Sequence, residues 1–391
     1  MNLSSYNFLK KFYSCKGEFI SCVAEMEIIM KIGLIGLPSV GKTTLFNLLT
    51  GAAAEASGFS KVKLEGNLGI AKVPDERVDF LAKMYNPKKT TYATMEVIDM
   101  PGLVKGSSTG EGVGNQFLDN VRKTDALIHI LRAFENDSVP HAEGSIDPMR
   151  DIETINLELL FADLGIIENR IERIEKSKKV TKENLAELEV LKKCREGLEN
   201  GLLLHNIELS DEEKDQLKSF AFLSEKPMIL VVNVDEKQFT ANDYPGKEAL
   251  MNFSKQVNTP LIELCIKSEL EISQLEPEDR ELFMEDLGIT ETGIDKLSKT
   301  TYEYLGLISF LTAGEDEVKA WTIQRDTTAR KAAGKIHSDI EKGFIRAEVC
   351  RFKHLQEFGT MLKVKEKGLA PLEGKEYIVQ DGDIINFRFN V

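Results

Sequence analysis

The chain has 391 residues, a formal net charge of −14, 42% hydrophobic residues and 29% charged residues. This length predicts two or three domains, and the composition provides enough apolar residues for a sizeable core. The acidic balance excludes a uniformly basic nucleic-acid surface but leaves room for local basic patches. Five scattered cysteines without a C-x-x-C pair fit a reducing cytoplasm. No apolar run approaches the roughly 18 residues that span a bilayer, so we expect no membrane association.

The first 29 residues precede the first organised strand, which begins at Met30. Their apolar stretch starts at Phe19 and is interrupted by Glu25 and Glu27, so it makes a poor signal peptide. Two interpretations stay open for residues 1–29: translation starts at Met30, or the segment is a poorly ordered N-terminal extension.

Residues 36–43 fit the pattern G-x-x-x-x-G-K-[ST] of a phosphate-binding loop. An apolar run before it predicts a buried strand, and residues 44–49 predict the first turns of a helix, as the motif requires. The glycines let successive N–H groups point at an anion, and the helix N-terminus adds partial positive charge. Lys42 is expected to reach the β- and γ-phosphates, and the Thr43 hydroxyl to ligate Mg²⁺.

A second buried strand, residues 95–98, ends in a D-x-x-G pattern formed by Asp99 and Gly102. Asp99 would hold Mg²⁺ through water, and the Gly102 N–H would contact the γ-phosphate and register its loss. The glycine-rich segment that follows predicts a mobile switch loop. Its first residue is Leu103, where Ras-like enzymes carry a glutamine that orients the attacking water. Leucine forms no side-chain hydrogen bonds, so hydrolysis must be slow or must use another group.

Two histidines lie near the next strand, residues 126–131. His129 lies within its apolar run, and we interpret it as a core histidine whose hydrogen bonds are satisfied. His141 lies in a polar, proline-flanked loop beyond the carboxyl end of the strand, where open α/β sheets place ligand-facing loops. On spacing alone, His141 is interpreted as an ordinary surface histidine.

Residues 151–226 break the strand–helix alternation. Apolar residues at steps of three and four predict two helices joined at the basic segment 176–179, which indicates an antiparallel helical hairpin inserted in the sheet domain. The basic tip is either a solvated face or a contact for RNA phosphates. Residues 30–150 and 227–304 then form the nucleotide-binding domain. Residues 305–391 predict a small sheet wrapped on one helix, as in a β-grasp domain.

The strand at residues 227–232 ends in Asn233-Val234-Asp235-Glu236, where GTPases carry N-K-x-D. Val234 replaces the lysine, and Glu236 replaces the aspartate that pairs with guanine. Adenine has no N1–H and no 2-amino group for such a carboxylate to bind, so the altered motif favours ATP over GTP. We expect the Asn233 side chain to hydrogen-bond the adenine edge.

Together these features resemble the YchF subfamily of Obg-related P-loop proteins, also called Obg-like ATPases, over about residues 30–391. The tail looks like a TGS domain, a module shared with threonyl-tRNA synthetases and stringent-response enzymes. The resemblance is carried by Gly36-Leu37-Pro38, Gly102-Leu103-Val104-Lys105-Gly106, Gly110-Glu111-Gly112, Gly114-Asn115, Arg132-Ala133-Phe134-Glu135-Asn136, Asn233-Val234-Asp235-Glu236, Glu373-Gly374-Lys375-Glu376-Tyr377 and Asp381-Gly382-Asp383.

The resemblance implies properties that spacing does not. It implies hydrolysis of ATP in preference to GTP, and a role for His141 in positioning the attacking water. It also implies a cytoplasmic protein that binds the ribosome, at the large subunit or the assembled particle, with the hairpin and TGS domain contacting rRNA. Members are linked to translation and stress responses.

Two positions depart from the family pattern. Ser39 stands where most members have an asparagine that in related enzymes helps to bind K⁺, so activation by K⁺ is in doubt. Lys63 stands where most have a threonine that ligates Mg²⁺, and it could instead contact a phosphate as a point charge. Either change could lower activity.

The sequence therefore predicts an α/β P-loop NTPase domain of the Ras-like or Obg type, with an inserted helical, coiled-coil hairpin and a C-terminal β-grasp TGS domain. The predicted function is a slow Mg²⁺-dependent ATPase that acts as a ribosome-associated switch. The alternatives are a GTPase with a degenerate base motif and a non-hydrolysing, ATP-gated ribosome-binding module. The predicted catalytic residues are His141, Lys42 and Gly102; the metal ligands are Thr43 and Asp99; and the nucleotide-binding residues are Gly36, Leu37, Pro38, Ser39, Val40, Gly41, Lys42, Thr43, Thr44, Asn233, Val234 and Glu236.

Overall fold

A computed structural model of the chain describes residues 30–51, 67–102, 113–286 and 289–390. Strands and helices alternate in its first part. The elements there are β1 (Lys31–Ile35), α1 (Lys42–Thr50), β2 (Asn67–Lys72), α2 (Glu76–Tyr85), β3 (Lys89–Thr91), β4 (Thr94–Asp99), α3 (Val113–Arg122) and β5 (Ala126–Arg132). All seven residues of β5 are buried, because it is a central strand of a sheet covered on both faces.

Two long helices follow β5 and form the predicted hairpin. They are α4 (Pro148–Glu175) and α5 (Lys182–Glu199), and the short helix α6 (Asp211–Leu217) comes after them. The Asp147 side chain caps α4 by accepting from the Arg150 N–H, and the Thr181 hydroxyl caps α5. The first part of α4 packs on the main core, whereas its second part packs with α5 in a separate apolar cluster. That cluster contains Leu160, Ile167, Ile171, Ile174, Leu188, Val190, Leu191, Cys194, Leu198, Leu203, Leu204, Leu217 and Phe222.

A buried carboxylate ties the end of the hairpin back to α4. Asp163, which is fully buried, accepts hydrogen bonds from the N–H groups of Leu223 and Ser224 at 3.0 and 2.7 Å. It also accepts from the Ser224 hydroxyl at 2.7 Å. Burial raises the pKa of Asp163, and these hydrogen bonds oppose the rise.

The chain then completes the first sheet. The next elements are β6 (Met228–Asn233), α7 (Glu236–Ala241), α8 (Lys247–Gln256), β7 (Leu261–Leu264), α9 (Ile266–Ser273), α10 (Pro277–Asp286) and α11 (Gly293–Tyr304). The strand order is β2-β4-β1-β5-β6-β7, and every neighbouring pair is parallel except β2 with β4. The loops after β1, β4, β5, β6 and β7 therefore lie along one edge of the sheet, where open α/β folds bind ligands. The α/β prediction is confirmed.

The C-terminal part forms a second sheet. Its elements are β8 (Leu307–Ala313), β9 (Glu317–Gln324), α12 (Ala329–Ile336), α13 (Ser338–Lys342), β10 (Phe344–Arg351), α14 (Phe352–Phe358), α15 (Met361–Glu366), β11 (Leu372–Glu373) and β12 (Asp383–Phe389). The helix α12 packs on one face of this sheet in an apolar cluster that includes Phe310 and Phe387. The opposite face shares the main core, to which it contributes Leu311, Val318 and Ile384.

The second sheet also contains a strand from the first part of the chain. Its order is β11-β10-β12-β8-β9-β3, and β3 pairs in parallel with β9, with Lys89 beside Glu317 and Thr91 beside Lys319. Residues 89–91 are predicted from the sequence to belong to the nucleotide-binding domain, and residues 305–391 to a separate one. The two regions therefore share a sheet, and their predicted bounds stay predictions.

Ion pairs reinforce this junction. The Arg77 guanidinium lies 2.6 Å from an Asp381 carboxylate oxygen and 2.8 Å from one of Asp75. The other Asp381 oxygen accepts the Ser309 N–H at 2.9 Å. The Lys88 ammonium, which is more exposed, lies 2.8 Å from Asp316.

Within the described part of the chain, no helix is long and apolar enough to cross a membrane.

Candidate nucleotide-binding site

The loop between β1 and α1 has the backbone of a phosphate cradle. Gly36 and Gly41 have φ of 147° and 106°, values that side chains disfavour. A Cβ on Gly36 would lie 2.5 Å from the Ile130 carbonyl oxygen, and one on Gly41 would lie 2.8 Å from the Asn233 amide nitrogen. Only glycine fits at either position. Ser39, at φ 63°, also takes the left-handed conformation that asparagine tolerates better than serine.

Lys42 folds back over this loop. Its ammonium donates to the carbonyl oxygens of Leu37 at 2.7 Å and of Gly36 at 3.2 Å. Burial lowers the pKa of Lys42 to about 8, and the charge of Asp99 opposes that effect. The ammonium is thus held inside the cradle, within reach of an anion that enters it.

Thr43 and Asp99 meet beside Lys42, although 56 residues separate them in the chain. The Thr43 hydroxyl donates to one Asp99 carboxylate oxygen at 2.9 Å. The other Asp99 oxygen is buried and has no hydrogen-bond partner among the described residues. Burial raises the pKa of Asp99, while the Thr43 hydrogen bond and the Lys42 charge lower it.

These donors fit Mg²⁺. A hydroxyl and a carboxylate with an orphaned oxygen are hard oxygen ligands, and Mg²⁺ usually takes one or two protein ligands plus phosphate oxygens and water. The described residues contain no group of three or more His, Cys, Asp or Glu side chains that could hold a metal on its own. The site therefore suits an ion that arrives with a phosphorylated ligand.

Gly102 lies directly against the cradle. A Cβ on Gly102 would lie 3.0 Å from the Pro38 nitrogen, so the D-x-x-G segment and the phosphate-binding loop touch. Leu103 and Lys63 lie outside the described residues, as do residues 61–66 and 103–112 of the two predicted switch segments.

The Asn233 side chain is committed to the protein itself. Its amide nitrogen donates to the Val40 carbonyl at 2.9 Å, and its oxygen accepts the Ile266 N–H at 3.3 Å. Asn233 thus joins the phosphate-binding loop to the start of α9. One amide N–H and one oxygen lone pair remain for the predicted hydrogen bond to adenine, because asparagine has two donors and two acceptor positions, and Asn233 lines the adjoining cavity.

A cavity of about 560 Å³ adjoins the cradle at the carboxyl ends of β5 and β6. At its rim, the Glu236 carboxylate, which replaces the guanine-reading aspartate, lies 3.1 Å from the Lys267 ammonium in an exposed ion pair. The residues lining the cavity are Ser39, Gly41, Thr44, Arg132, Phe134, Asn136, Val139, Asn233, Val234, Asp235, Glu236, Lys237, Cys265, Ile266, Lys267 and Leu270.

The sequence reasoning missed Arg132 as a functional residue. Its guanidinium is buried and donates to the carbonyls of Phe134 and Val139, both at 2.9 Å. It also lies 4.8 Å from the centre of the Phe134 ring. These contacts fold the loop after β5 into one wall of the cavity. The signal was an arginine at the carboxyl end of an otherwise apolar strand.

His129 is a core residue, as predicted, but its hydrogen bonds are not satisfied. It is fully buried, and neither ring nitrogen has a hydrogen-bond partner within the described ranges. Burial and the nearby charge of Lys42 lower the pKa of His129 to about 3, so the ring is neutral. The apolar neighbours in β1 and β6 provide no donor or acceptor side chain at this depth.

His141 is not the ordinary surface histidine that spacing suggested. Its side chain is 3% exposed, and its Nε2 lies 3.0 Å from a carboxylate oxygen of Asp151 in the first turn of α4. Its Nδ1 accepts the Glu143 N–H at 3.2 Å. His141 does not line the cavity, although Val139 on the same loop does.

The fold and the site define a P-loop nucleotide-binding protein. The family model described as 50S ribosome-binding GTPase matches residues 31–161. A model of the YchF-GTPase C-terminal region, described as a protein of unknown function, matches residues 307–390.

Relatives cover nearly the whole chain. The ribosome-binding ATPase YchF of Bacillus subtilis (strain 168) is 44% identical over 363 residues, 92% of this chain and 99% of its own length. Its counterpart from Escherichia coli O157:H7 is also 44% identical, over 362 residues. The solved structure of the Schizosaccharomyces pombe YchF GTPase matches with a TM-score of 0.81 and 31% identity, over 92% of this chain and 97% of that one. The chain belongs to the YchF family.

Proposed function

We propose that this protein is a slow, Mg²⁺-dependent ATPase that binds the ribosome. The observation that carries the proposal is the meeting of Lys42, Thr43 and Asp99 in a glycine-shaped cradle. The relatives named ribosome-binding ATPases support both parts of the activity, since they align over 92% of this chain.

Each residue of the cradle has a role in this proposal. The loop N–H groups and Lys42 hold the triphosphate, while Thr43 and Asp99 hold the metal. When bound, Mg²⁺ neutralises charge on the β- and γ-phosphates. Gly102, which touches the loop at Pro38, senses the γ-phosphate through its N–H. His141 orients the attacking water once it leaves Asp151.

The base pocket favours ATP in this proposal. Glu236 is paired with Lys267, and Val234 replaces the lysine of the guanine motif, so neither residue reads guanine. Activation by K⁺ stays in doubt because Ser39 replaces asparagine. The nucleotide-binding roles of Leu37, Val40 and Thr44 follow from their places in the loop and at the start of α1.

The ribosomal contact is proposed for two surfaces. The hairpin tip exposes the side chains of Lys176, Lys178, Lys179 and Lys182, which suit rRNA phosphates. The C-terminal sheet with α12 packed on one face suits the predicted TGS domain of an Obg-like protein. A cytoplasmic translation or stress switch follows, in which the ATP-bound state changes how these surfaces meet the ribosome.

Calorimetric titration of the full chain with non-hydrolysable ATP and GTP analogues, each with Mg²⁺, tests the nucleotide part. We expect tighter binding of the adenine analogue, and much weaker binding of both analogues by Lys42→Ala. Tighter binding of the guanine analogue would instead identify a GTPase with a degenerate base motif. Co-sedimentation with ribosomes in both nucleotide states tests the second part, and its failure in both states would remove ribosome binding.

One observation favours the non-hydrolysing module as the second candidate. His141 faces Asp151 rather than the cavity, so the residue proposed to orient the attacking water is not in place to do so. A single-turnover assay decides between the two candidates. Phosphate release no faster than that of His141→Ala would identify an ATP-gated module.

A further inference from the structure

The loop after β5 connects the nucleotide cavity to the helical hairpin. At one end, Arg132 and Val139 form part of the cavity wall. At the other end, Asp147 caps α4, the first helix of the hairpin. His141 lies between them, and its contact with Asp151 is where this loop meets the first turn of α4.

Neither ring nitrogen of His141 is available to water in this arrangement. Nδ1 accepts the Glu143 N–H at 3.2 Å, so it uses its lone pair on the backbone. Nε2 is buried 3.0 Å from a carboxylate oxygen of Asp151, and neither of these two atoms has a hydrogen-bond partner among the described residues. A histidine that orients a water molecule needs one ring nitrogen free for it.

Asp151 is itself firmly held. Its side chain is 1% exposed, and its other oxygen accepts from the Arg150 guanidinium at 2.9 Å. The same guanidinium donates to the hydroxyl and the carbonyl oxygen of Ser145, both at 2.8 Å, which closes the loop. A buried carboxylate between an imidazole and a guanidinium has a fixed geometry, because moving either partner leaves a charge uncompensated.

We propose that Asp151 is a positioning residue that holds His141 away from the bound nucleotide, and that movement of α4 releases it. A partner that tilts the hairpin at its tip acts through α4, a single helix of 28 residues. It shifts the first turn on the core against which Ile152 and Ile155 pack, which separates the carboxylate from the imidazole. Binding of a partner to the hairpin is thereby coupled to hydrolysis of the nucleotide. This inference rests on the proposed role of His141 in hydrolysis.

Asp151→Asn tests the proposal in the full chain without ribosomes. The amide keeps the shape of the carboxylate but removes its charge, so the contact with His141 weakens. We expect kcat for phosphate release to rise by about three- to tenfold, with KM unchanged. A rise of this size corresponds to part of the free energy of one charge-assisted contact. The double variant His141→Ala with Asp151→Asn should fall back to the rate of His141→Ala alone.

Asp147→Asn is the matched control, because it changes a carboxylate at the same helix end that does not contact His141. It should leave kcat and KM unchanged, since asparagine also caps helices well. Ring ¹⁵N signals of labelled histidine provide a readout that a merely structural role would not move. The His141 signals should shift in Asp151→Asn but not in Asp147→Asn.

The outcomes separate the two proposals. A wild-type chain that hydrolyses ATP, with an Asp151→Asn variant of equal or lower kcat and normal thermal stability, overturns the positioning role alone. A rate increase that survives in the double variant also overturns it. Absence of phosphate release from both wild type and Asp151→Asn overturns the ATPase and the inference together.

Discussion

The helical hairpin and the C-terminal region are attached to the nucleotide-binding sheet in opposite ways. The first part of α4 packs on the main core, but the rest of the hairpin has its own apolar cluster, and buried polar contacts at Asp163 and Asp151 add to its attachment. The C-terminal region shares the main core on one face of its sheet and accepts β3 as an additional strand. The Phe80 and Phe352 rings, 5.4 Å apart at 81°, pack edge to face across this junction.

The difference shows which region is suited to move with the nucleotide. A packed core does not deform continuously. Because the C-terminal region shares the main core, we expect it to move as one body with the nucleotide-binding sheet, including the end of β4, where Asp99 lies. Polar contacts at a helix terminus have two discrete arrangements, made or broken. The hairpin is therefore the element that a change at the site can reposition.

The largest effect is expected from removing the cradle lysine. Lys42→Ala should lower phosphate release by about 10²- to 10³-fold, as loss of an electrostatic group at the transferred phosphate usually does. Hydrogen exchange in the first turn of α4 should then stop responding to an ATP analogue. Lys31→Ala, a half-exposed lysine of β1, is the control. If the ATP analogue changed hydrogen exchange at β3 and β9 of the wild type but not in α4, the C-terminal region rather than the hairpin would be the part that moves with the nucleotide.

The second effect concerns the hairpin alone. Asp163→Ala leaves two buried N–H groups and one hydroxyl without their acceptor, which should cost about 3 kcal/mol of unfolding free energy. Denaturant unfolding monitored by hydrogen exchange measures it, with the exposed Asp211→Ala as control. Amide protection at β3 and β9 should be retained. Equal loss of protection in both regions would show a single cooperative unit.

The third effect is a dependence of stability on pH. Burial raises the pKa of Asp163 above its ordinary value of 3.8, so the folded state binds this proton more tightly than the unfolded state. The stabilisation from this group is therefore complete below the unfolded pKa and is lost as pH rises through the folded pKa. Asp163→Asn should remove this loss of stability as pH rises above the ordinary pKa of 3.8. Thermal unfolding at a series of pH values measures this. If stability depends on pH in Asp163→Asn as it does in the wild type, the raised pKa of Asp163 is contradicted.

The smallest effect should come from the junction ion pairs, because backbone pairing and apolar contacts hold the C-terminal region. A double-mutant cycle on Arg77 and Asp381, which are 26% and 50% exposed, should give a coupling of about 0.5–1 kcal/mol. Lys88 and Asp316 are 81% and 79% exposed, so their coupling should be near zero. A larger coupling for the exposed pair would show that surface charge holds the junction.

Local patterns made much of this molecule predictable. The phosphate-binding loop is a run of eight residues with strict backbone demands at Gly36 and Gly41. The hairpin helices follow from apolar spacing, because each helix has one buried stripe. Thr43 and Asp99 are both predicted as Mg²⁺ ligands; Thr43 follows the loop after β1, Asp99 ends the neighbouring strand β4, and the structure brings them together.

Other features depend on partners far along the chain. β3 is three polar residues, Lys89, Thr90 and Thr91, and it becomes a strand only because β9 provides an edge for it. Sequence spacing showed that His141 lies in a loop but not that Arg150 would close that loop around Asp151. Nor does an apolar strand reveal whether a histidine such as His129 finds a donor or acceptor in neighbouring strands.

The sharing of β3 has a consequence for cutting and recombining this chain. Severed before β8, the C-terminal segment would lose the neighbour of β9 and leave a row of unpaired backbone groups along an open sheet edge. It would also uncover Leu311 and Val318, which are fully buried in the intact molecule. An exposed edge beside apolar surface is a template for aggregation, so we expect that this segment is not an independent, soluble domain. A soluble fragment needs residues 76–91 supplied with it, by fusion or by circular permutation.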